Sequence, residues 1–173
     1  MKKFLVLLSL IAVSWGCGAS SSLYLTKDPM TDVAVVTLDL AHQTIEGDLQ
    51  NYQAQYSRKL HEKTAEPASL LLHFYGYSGE QKFDETGVIR IDGALFNVKV
   101  ADSTAYDSNR SRIISCRIIF TPQIEQAMLN CSKLLVRLTS LYKNTTLQAS
   151  AEDLAQIKKF LKVDYEATRK YFK

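Results

Sequence analysis

Tyrosine is the residue type in this sequence with the clearest capacity for ligand chemistry. The chain holds nine tyrosines, and Tyr75, Tyr77 and Tyr106 fall in or beside predicted loops, as do Tyr52 and Tyr56. An exposed tyrosine ring can stack on a sugar while its hydroxyl forms a hydrogen bond to it. Two interpretations stay open: a glycan-binding surface that includes Tyr75, Tyr77 and Tyr106, or tyrosines that only pack in the core and at its rim.

Catalytic and metal-binding patterns are absent from the sequence. The three histidines, His42, His61 and His73, are separated from one another and show no metal-ligand spacing. The acidic pairs Asp84-Glu85 and Glu152-Asp153 suit a turn and the first turn of a helix. We therefore predict no metal, no cofactor and no catalytic residue, although a hydrolase site assembled from scattered residues stays open.

Several apolar stretches with β-branched residues predict the strands that would position these side chains. Asp92-Gly93 lies between two of them and is typical of a type I′ turn, which needs two positive φ angles. The predicted strands are Leu23–Leu25, Val33–Leu40, Ser69–Tyr77, Val88–Ile91, Ala94–Val100, Ile113–Phe120 and Lys133–Leu141.

Three polar stretches interrupt this pattern. In Asp48–Pro67 the large apolar residues Leu49, Tyr52, Tyr56 and Leu60 fit one stripe of a helix, but a long loop fits equally well. Asp102–Arg112 is expected to be a polar loop, and Asn144–Thr146 a turn.

Two helices are predicted in the C-terminal half. Thr121-Pro122 places an N-cap oxygen before a proline at the first helical position, and Ile124, Ala127, Met128 and Cys131 follow at helical spacing. Ser150 and Asp153 predict a capping box for the last helix, whose apolar stripe is Leu154, Ile157 and Leu161.

The first 17 residues carry the signature of an export signal. Lys2 and Lys3 form a basic start, Phe4–Val13 is an apolar run too short to span a bilayer, and Gly16 precedes Cys17. An apolar run followed by glycine and cysteine resembles the lipobox of bacterial lipoproteins. The resemblance covers this N-terminal stretch alone, and Ser14 and Trp15 stand where the family usually has leucine and a small residue.

The resemblance implies cleavage before Cys17 and a lipid, with acyl chains such as palmitate, on that residue. It implies a membrane anchor in the bacterial envelope, with the outer membrane favoured because Gly18 is not the aspartate that retains such proteins at the inner membrane. An ordinary secretory signal cut after Gly18 or Ala19 is the alternative, and both interpretations export the protein.

Cys116 and Cys131 are then the two cysteines left in an exported chain, and an even number favours a disulfide. A helix that folds back from the strand of Cys116 can bring Cys131 to the same face. The alternatives are two buried free thiols or, least favoured, a catalytic cysteine, for which no neighbouring base can be named.

Composition bounds the class of protein. The apolar and charged fractions, 46% and 23%, are those of ordinary globular proteins. The formal charge of +3 falls to +1 without Lys2 and Lys3, which argues against a nucleic-acid partner.

We predict a signal peptide over 1–16, a lipid-anchored tether and lead-in over 17–32, and one α+β domain over 33–173. The fold class expected is an antiparallel sheet of about five to seven strands with two C-terminal helices on one face. The expected function is a non-catalytic, lipid-anchored envelope protein that binds another envelope component or serves as its accessory subunit, with an envelope protein as the expected partner. A glycan-binding module is the alternative, and an envelope hydrolase is the less favoured one.

Overall fold

The computed structural model describes residues 22–27, 30–47, 52–75, 82–108, 111–140 and 143–170. Within these ranges the chain forms ten β-strands and three short α-helices. The strands are β1 (Ser22–Lys27), β2 (Ala34–Leu40), β3 (Gln43–Glu46), β4 (Tyr52–Leu60), β5 (Ser69–Tyr75), β6 (Thr86–Ile91), β7 (Ala94–Ser108), β8 (Ser111–Ile119), β9 (Leu134–Ser140) and β10 (Lys143–Gln148). The helices are α1 (Pro122–Asn130), α2 (Ala151–Leu161) and α3 (Tyr165–Arg169).

The described strands join into one curled sheet, a half-barrel, with the order β1-β2-β4-β5-β8-β7-β6-β9-β10-β3. Every pairing is antiparallel. The long strand β7 belongs to both halves, because its first part pairs with β6 and its second part with β8. The pairing shifts between Ala101 and Thr104, where Asp102 has a φ of 53°, and such a bulge bends the strand from one half to the other.

The bulge in β7 forms one corner of the sheet, and a second corner lies between β2 and β3. β2 is next to one edge of the sheet, β3 forms the other edge, and Ala41 and His42 alone separate them in the chain. The two ends of the sheet therefore approach each other at this corner. The curl encloses a core to which both halves and the helices contribute, including the fully buried Tyr56, Phe74, Ile89, Ile124 and Phe160.

The helices close one side of this core. α1 contacts α2, and α2 contacts β2. Ile124, Met128 and Cys131 of the predicted α1 face are buried, as are Leu154, Ile157 and Leu161 of α2. The apolar stripes of both predicted helices are thus confirmed.

The local signals for turns and helix caps are confirmed as well. Asp92 and Gly93 have φ angles of 48° and 98°, as a type I′ turn requires. The Thr121 side chain accepts the Ile124 N–H, and Ser150 and Asp153 form the reciprocal capping box of α2.

The predicted fold class is wrong. The structure is mostly antiparallel sheet with ten described strands and three short helices, not an α+β fold of five to seven strands. The seven predicted strands correspond to β1, β2 and β5 to β9, and the three additional ones are β3, for which no element was predicted, β4 within Asp48–Pro67, and β10, which includes Asn144–Thr146. The predicted loop Asp102–Arg112 instead contains the end of β7 and the start of β8.

The helical stripe in Asp48–Pro67 has a simple physical explanation. Tyr52, Tyr56 and Leu60 are four residues apart, and a spacing of four places side chains on one face of a strand as well as on one face of a helix. In β4 these residues alternate with the more exposed Gln53, Ser57 and Lys59.

Gly47, just after β3, is expected to tolerate alanine poorly. Its φ is 97°, and a Cβ there would lie 2.6 Å from the Asn144 carbonyl oxygen. Gly93 has nearly the same φ, but a Cβ added to it meets nothing within 4 Å. We expect Gly93→Ala to lower the free energy of unfolding by about 1 kcal/mol through backbone strain, and Gly47→Ala by about 1 to 3 kcal/mol more. Urea denaturation of both variants gives this comparison, and equal losses would contradict the close approach of Gly47 to β10.

Candidate functional site

Tyr75 and Tyr106, two of the predicted ligand-binding residues, lie in one row across three adjacent strands. In the register of β5, β8 and β7, Tyr75 is opposite Ile113 and Ile113 is opposite Tyr106. Directly opposite residues share a face of the sheet. This face is the outer one, because the alternate residues Phe74 and Ile114 are buried in the core. We call Tyr75, Ile113 and Tyr106 the tyrosine row.

A second row of uncharged polar residues lies beside the first. It consists of Gln53, His73, Ser115 and Thr104, which are opposite one another in β4, β5, β8 and β7. We call it the polar row. The Tyr75 hydroxyl donates to Gln53 Oε1 at 3.2 Å, which links the two rows, and the hydroxyls of Thr104 and Ser115 are hydrogen-bonded at 2.8 Å.

The electrostatic character of this face follows from its residue types. Burial lowers the pKa of the His73 imidazole, so this side chain is neutral at pH 7. Neither row then carries a formal charge. Tyr106 is 45% exposed, and Ile113 between the tyrosines is 9% exposed. The face offers an exposed aromatic ring beside hydroxyl and amide groups, which suits stacking and hydrogen bonding.

The other predicted residues have different outcomes. Cys17 and Tyr77 lie outside the described residues. Tyr52 and Tyr56, which were expected in a loop, lie in β4, where Tyr56 is fully buried and Tyr52 packs against the core.

No family model, no curated protein and no solved structure matches this chain. The candidate functions of this chain therefore rest on the geometry and chemistry of its own residues.

A buried polar network lies at the corner between β2 and β3. His42 Nδ1 is 3.2 Å from Asp153 Oδ2, and His42 Nε2 is 2.7 Å from the Tyr56 hydroxyl. The Tyr52 hydroxyl donates to the His42 carbonyl. Because a carboxylate only accepts hydrogen bonds, the imidazole donates from Nδ1. In its neutral form it accepts a hydrogen bond from the Tyr56 hydroxyl at Nε2.

The protonation states of this network follow from burial and hydrogen bonding. Burial acts to raise the pKa of the Asp153 carboxyl, but the hydrogen bonds from His42 and the Ser150 backbone outweigh it, and the net pKa is lowered. Burial raises the pKa of the Tyr56 hydroxyl well above its usual value. Asp153 is thus a carboxylate, and Tyr56 a neutral donor, at pH 7.

The order of carboxylate, imidazole and hydroxyl is that of a nucleophilic triad. Its hydroxyl, however, belongs to the fully buried Tyr56, and His42 is only 5% exposed. A substrate cannot reach an oxygen that has no contact with solvent. The network therefore acts structurally, since it joins the β2–β3 corner to β4 and to the first turn of α2.

Sequence reasoning identified Asp153 as a capping residue but did not identify its partner. His42 and Asp153 are 111 positions apart, and no local pattern marks His42. A buried histidine at a strand corner is recognisable only when both halves of the sheet are in place.

Cys116 and Cys131 are free thiols in the structure, where a disulfide was predicted. Cys116 lies on the core face of β8, whereas Cys131 ends α1 and its Sγ donates to the Met128 carbonyl at 3.3 Å. Burial raises the pKa of Cys116 to about 12 and raises that of Cys131 despite the nearby Lys158. Both thiols therefore stay protonated at neutral pH, which disfavours a nucleophilic role.

A polar cleft of about 300 Å³ lies between β1 and α3. Three of its charged side chains, Lys27, Asp32 and Arg169, contact one another or close neighbours. Lys27 pairs with Asp32, the Tyr165 hydroxyl donates to Asp32 Oδ2 at 2.9 Å, and Arg169 is 3.3 Å from Glu166. These contacts compensate the charges and favour no particular class of ligand.

The described residues contain no group of three or more His, Cys, Asp or Glu side chains that could hold a metal ion. None of their helices is long and apolar enough to cross a membrane.

Alkaline pH is expected to destabilise the protein through its buried tyrosines and Cys116. Burial raises the folded-state pKa values of Tyr52, Tyr56 and Cys116 above the ordinary values of 10.0 and 9.0. The folded state then binds more protons than the unfolded state, so stability is complete below pH 9 and falls as pH rises further. Thermal unfolding midpoints measured from neutral pH upwards give this dependence, and Tyr56→Phe should make it shallower. If every tyrosine of the folded protein ionised at the ordinary pKa of 10.0, this expected loss of stability would be contradicted.

Proposed function

We propose that this chain is a lipid-anchored protein of the bacterial envelope. In this proposal it has no catalytic activity and binds another envelope component or serves as its accessory subunit. The observation that carries the proposal is the lipobox-like stretch that ends at Cys17, five positions before the first residue of β1, Ser22.

The short segment between Cys17 and Ser22 limits the distance between a lipid on Cys17 and the folded domain. From Cys17 to Ser22 the chain can extend by at most about 18 Å. Ser22 begins an edge strand of the half-barrel. A lipid on Cys17 would therefore hold this edge close to the membrane surface, and the domain would present its remaining surfaces to a partner.

The exposed groups of the tyrosine row and the polar row support a binding role, because aromatic rings, hydroxyls and amides are suited to recognition. The network of Asp153, His42 and Tyr56 does not compete with this proposal, because the fully buried Tyr56 is closed to substrate.

The anchor is tested by the intact mass of protein taken from the detergent phase of cells. We expect a mature chain that begins at Cys17 and carries the mass of the lipid, and we expect Cys17→Ala to remain as an unprocessed, unlipidated precursor. A mature chain that begins after Cys17 would contradict the proposal.

The accessory role is tested by crosslinking in cells with an affinity tag placed after Lys173. We expect one reproducible envelope protein to be crosslinked to the wild-type chain and lost from Cys17→Ala. No crosslinked protein, under conditions in which a known envelope complex is captured, would contradict this role.

A further inference from the structure

We infer that the outer face formed by the tyrosine row and the polar row is a binding site for a neutral oligosaccharide. This inference goes beyond the proposed function, because it adds a glycan ligand to the protein partner expected there, and only its setting in the envelope rests on that function. Binding itself depends only on the folded sheet and not on the lipid anchor.

The spacing of the two tyrosines fits a chain of sugar rings. Tyr75 and Tyr106 belong to β5 and β7, with β8 between them. Neighbouring strands are about 4.8 Å apart, which places the two tyrosine backbones about 10 Å from each other. This distance is comparable to the length of a disaccharide. Side chains that project from backbones at this spacing can contact alternate sugars of an extended oligosaccharide.

Ile113 fills the position between the tyrosines. Its side chain is apolar and only 9% exposed, so it adds a small apolar contact between the two tyrosines. The methyl group of an N-acetyl substituent can pack against such a contact.

The polar row supplies hydrogen-bonding groups without charge. Gln53 Oε1 accepts a hydrogen bond from the Tyr75 hydroxyl, and the side-chain amide nitrogen of Gln53 carries two donor hydrogens. Thr104 is exposed at the rim, where its hydroxyl is paired with that of Ser115. Neutral hydroxyls and amides match the hydroxyl and acetamido groups of a neutral sugar, and they offer no counter-charge for a uronate or a phosphate.

The next outward row marks the limit of the site. It contains Leu71 opposite Arg117, and Arg117 Nε is 3.8 Å from Asp102 Oδ2. The first charged group on this side therefore lies beyond the polar row, next to the bulge of β7.

Isothermal titration calorimetry of the purified protein with defined hexasaccharides tests the inference. The probes are chitohexaose and cellohexaose, which are neutral, and hexagalacturonate, which is anionic. We expect binding of at least one neutral hexamer and no binding of the anionic one. Tyr75→Ala and Tyr106→Ala should each weaken binding about tenfold or more, which corresponds to about 1.4 kcal/mol.

Tyr24→Ala is the matched control. Tyr24 is 49% exposed on β1, where it is opposite Thr37 and outside both rows, so its removal should leave the affinity unchanged. Tyr106→Phe should keep most of the affinity, because the ring remains. Thermal unfolding midpoints near that of the wild type would show that the surface variants are folded.

Absence of binding to all three hexamers by the folded wild type would overturn the inference. A loss in Tyr24→Ala as large as that in Tyr106→Ala would also overturn it, because the site would then be elsewhere. Preferred binding of hexagalacturonate would overturn the assignment of a neutral ligand. None of these results bears on the mass of the Cys17 N-terminus, so failure of the glycan site and failure of the lipid anchor are distinguishable.

Discussion

Asp153→Ala is expected to lower the free energy of unfolding by about 2 to 4 kcal/mol. The carboxylate accepts from His42 Nδ1 at 3.2 Å and from the Ser150 backbone N–H at 2.8 Å. Its loss removes half of the capping box of α2, which contributes about 1 kcal/mol. It also leaves a donor of the buried imidazole without its partner, which costs about 1 to 3 kcal/mol.

Urea denaturation of the purified variant measures this loss, and the neighbouring Glu152 offers a matched control. Glu152 is an exposed acidic residue in the same first turn of α2, so Glu152→Ala should cost about 0.5 kcal/mol or less. In a double-mutant cycle, His42→Ala and Asp153→Ala should show a coupling of about 1 kcal/mol or more. Equal losses in Asp153→Ala and Glu152→Ala would contradict the assigned role of the network.

The Asp153 carboxylate is also expected to make the free energy of unfolding depend on pH in the acidic range. Its folded-state pKa is lowered from the ordinary value of 3.8, so its contribution is complete above that pH and is lost as pH falls below it. Stability measured from pH 6 downwards should decline less steeply in Asp153→Ala than in the wild type.

Arg58→Met is expected to lower the free energy of unfolding by about 3 kcal/mol, as is usual when one partner of a largely buried ion pair is removed. Arg58 Nη2 is 3.1 Å from Glu125 Oε2, and the two side chains are 17% and 12% exposed. Arg58 Nη1 also donates to the Leu161 carbonyl at 3.2 Å. The guanidinium therefore joins β4 to α1 and to the end of α2.

The adjacent Lys59 gives a matched comparison on the same strand. Its amine lies 3.9 Å from Glu66, and both side chains are largely exposed, so Lys59→Met should change the free energy of unfolding by about 0.5 kcal/mol or less. Arg58→Met combined with Glu125→Gln should cost less than the sum of the single changes, because the second change removes the unpaired charge. Strictly additive losses would contradict a direct contact between Arg58 and Glu125.

Features that depend on neighbours in the chain could be predicted. The Asp92-Gly93 turn, the Thr121-Pro122 helix start and the Ser150–Asp153 capping box all involve residues within three positions of one another. Their geometry follows from side-chain type and backbone preference, which act over that range.

Features that depend on distant pairing could not be predicted. β3 is largely polar and exposed, and its described partner is the distant β10, with Glu46 opposite Thr146. β4 has a spacing of apolar residues that fits a helix and a strand equally well, and its hydrogen bonds to β2 and β5 select the strand. A half-barrel of ten described strands therefore emerged where a smaller sheet was expected.

The candidate sites divide in the same way. Residue type alone indicated that Tyr75 and Tyr106 could contact a ligand, but their common row follows from the registers of β5, β8 and β7. His42 received no role from the sequence, because its partners come from β4 and α2.

The sequence by itself determined the two well-capped helices and the turn at Asp92-Gly93, since each depends on residues that are adjacent in the chain, whereas the export signal that ends at Cys17 stays a prediction. The tertiary structure decided the curl of the sheet, the burial of the triad-like network and the shared face of the tyrosines. Each of these depends on strand pairing across many residues, and pairing partners are selected by the combined burial and hydrogen bonding of the whole sheet.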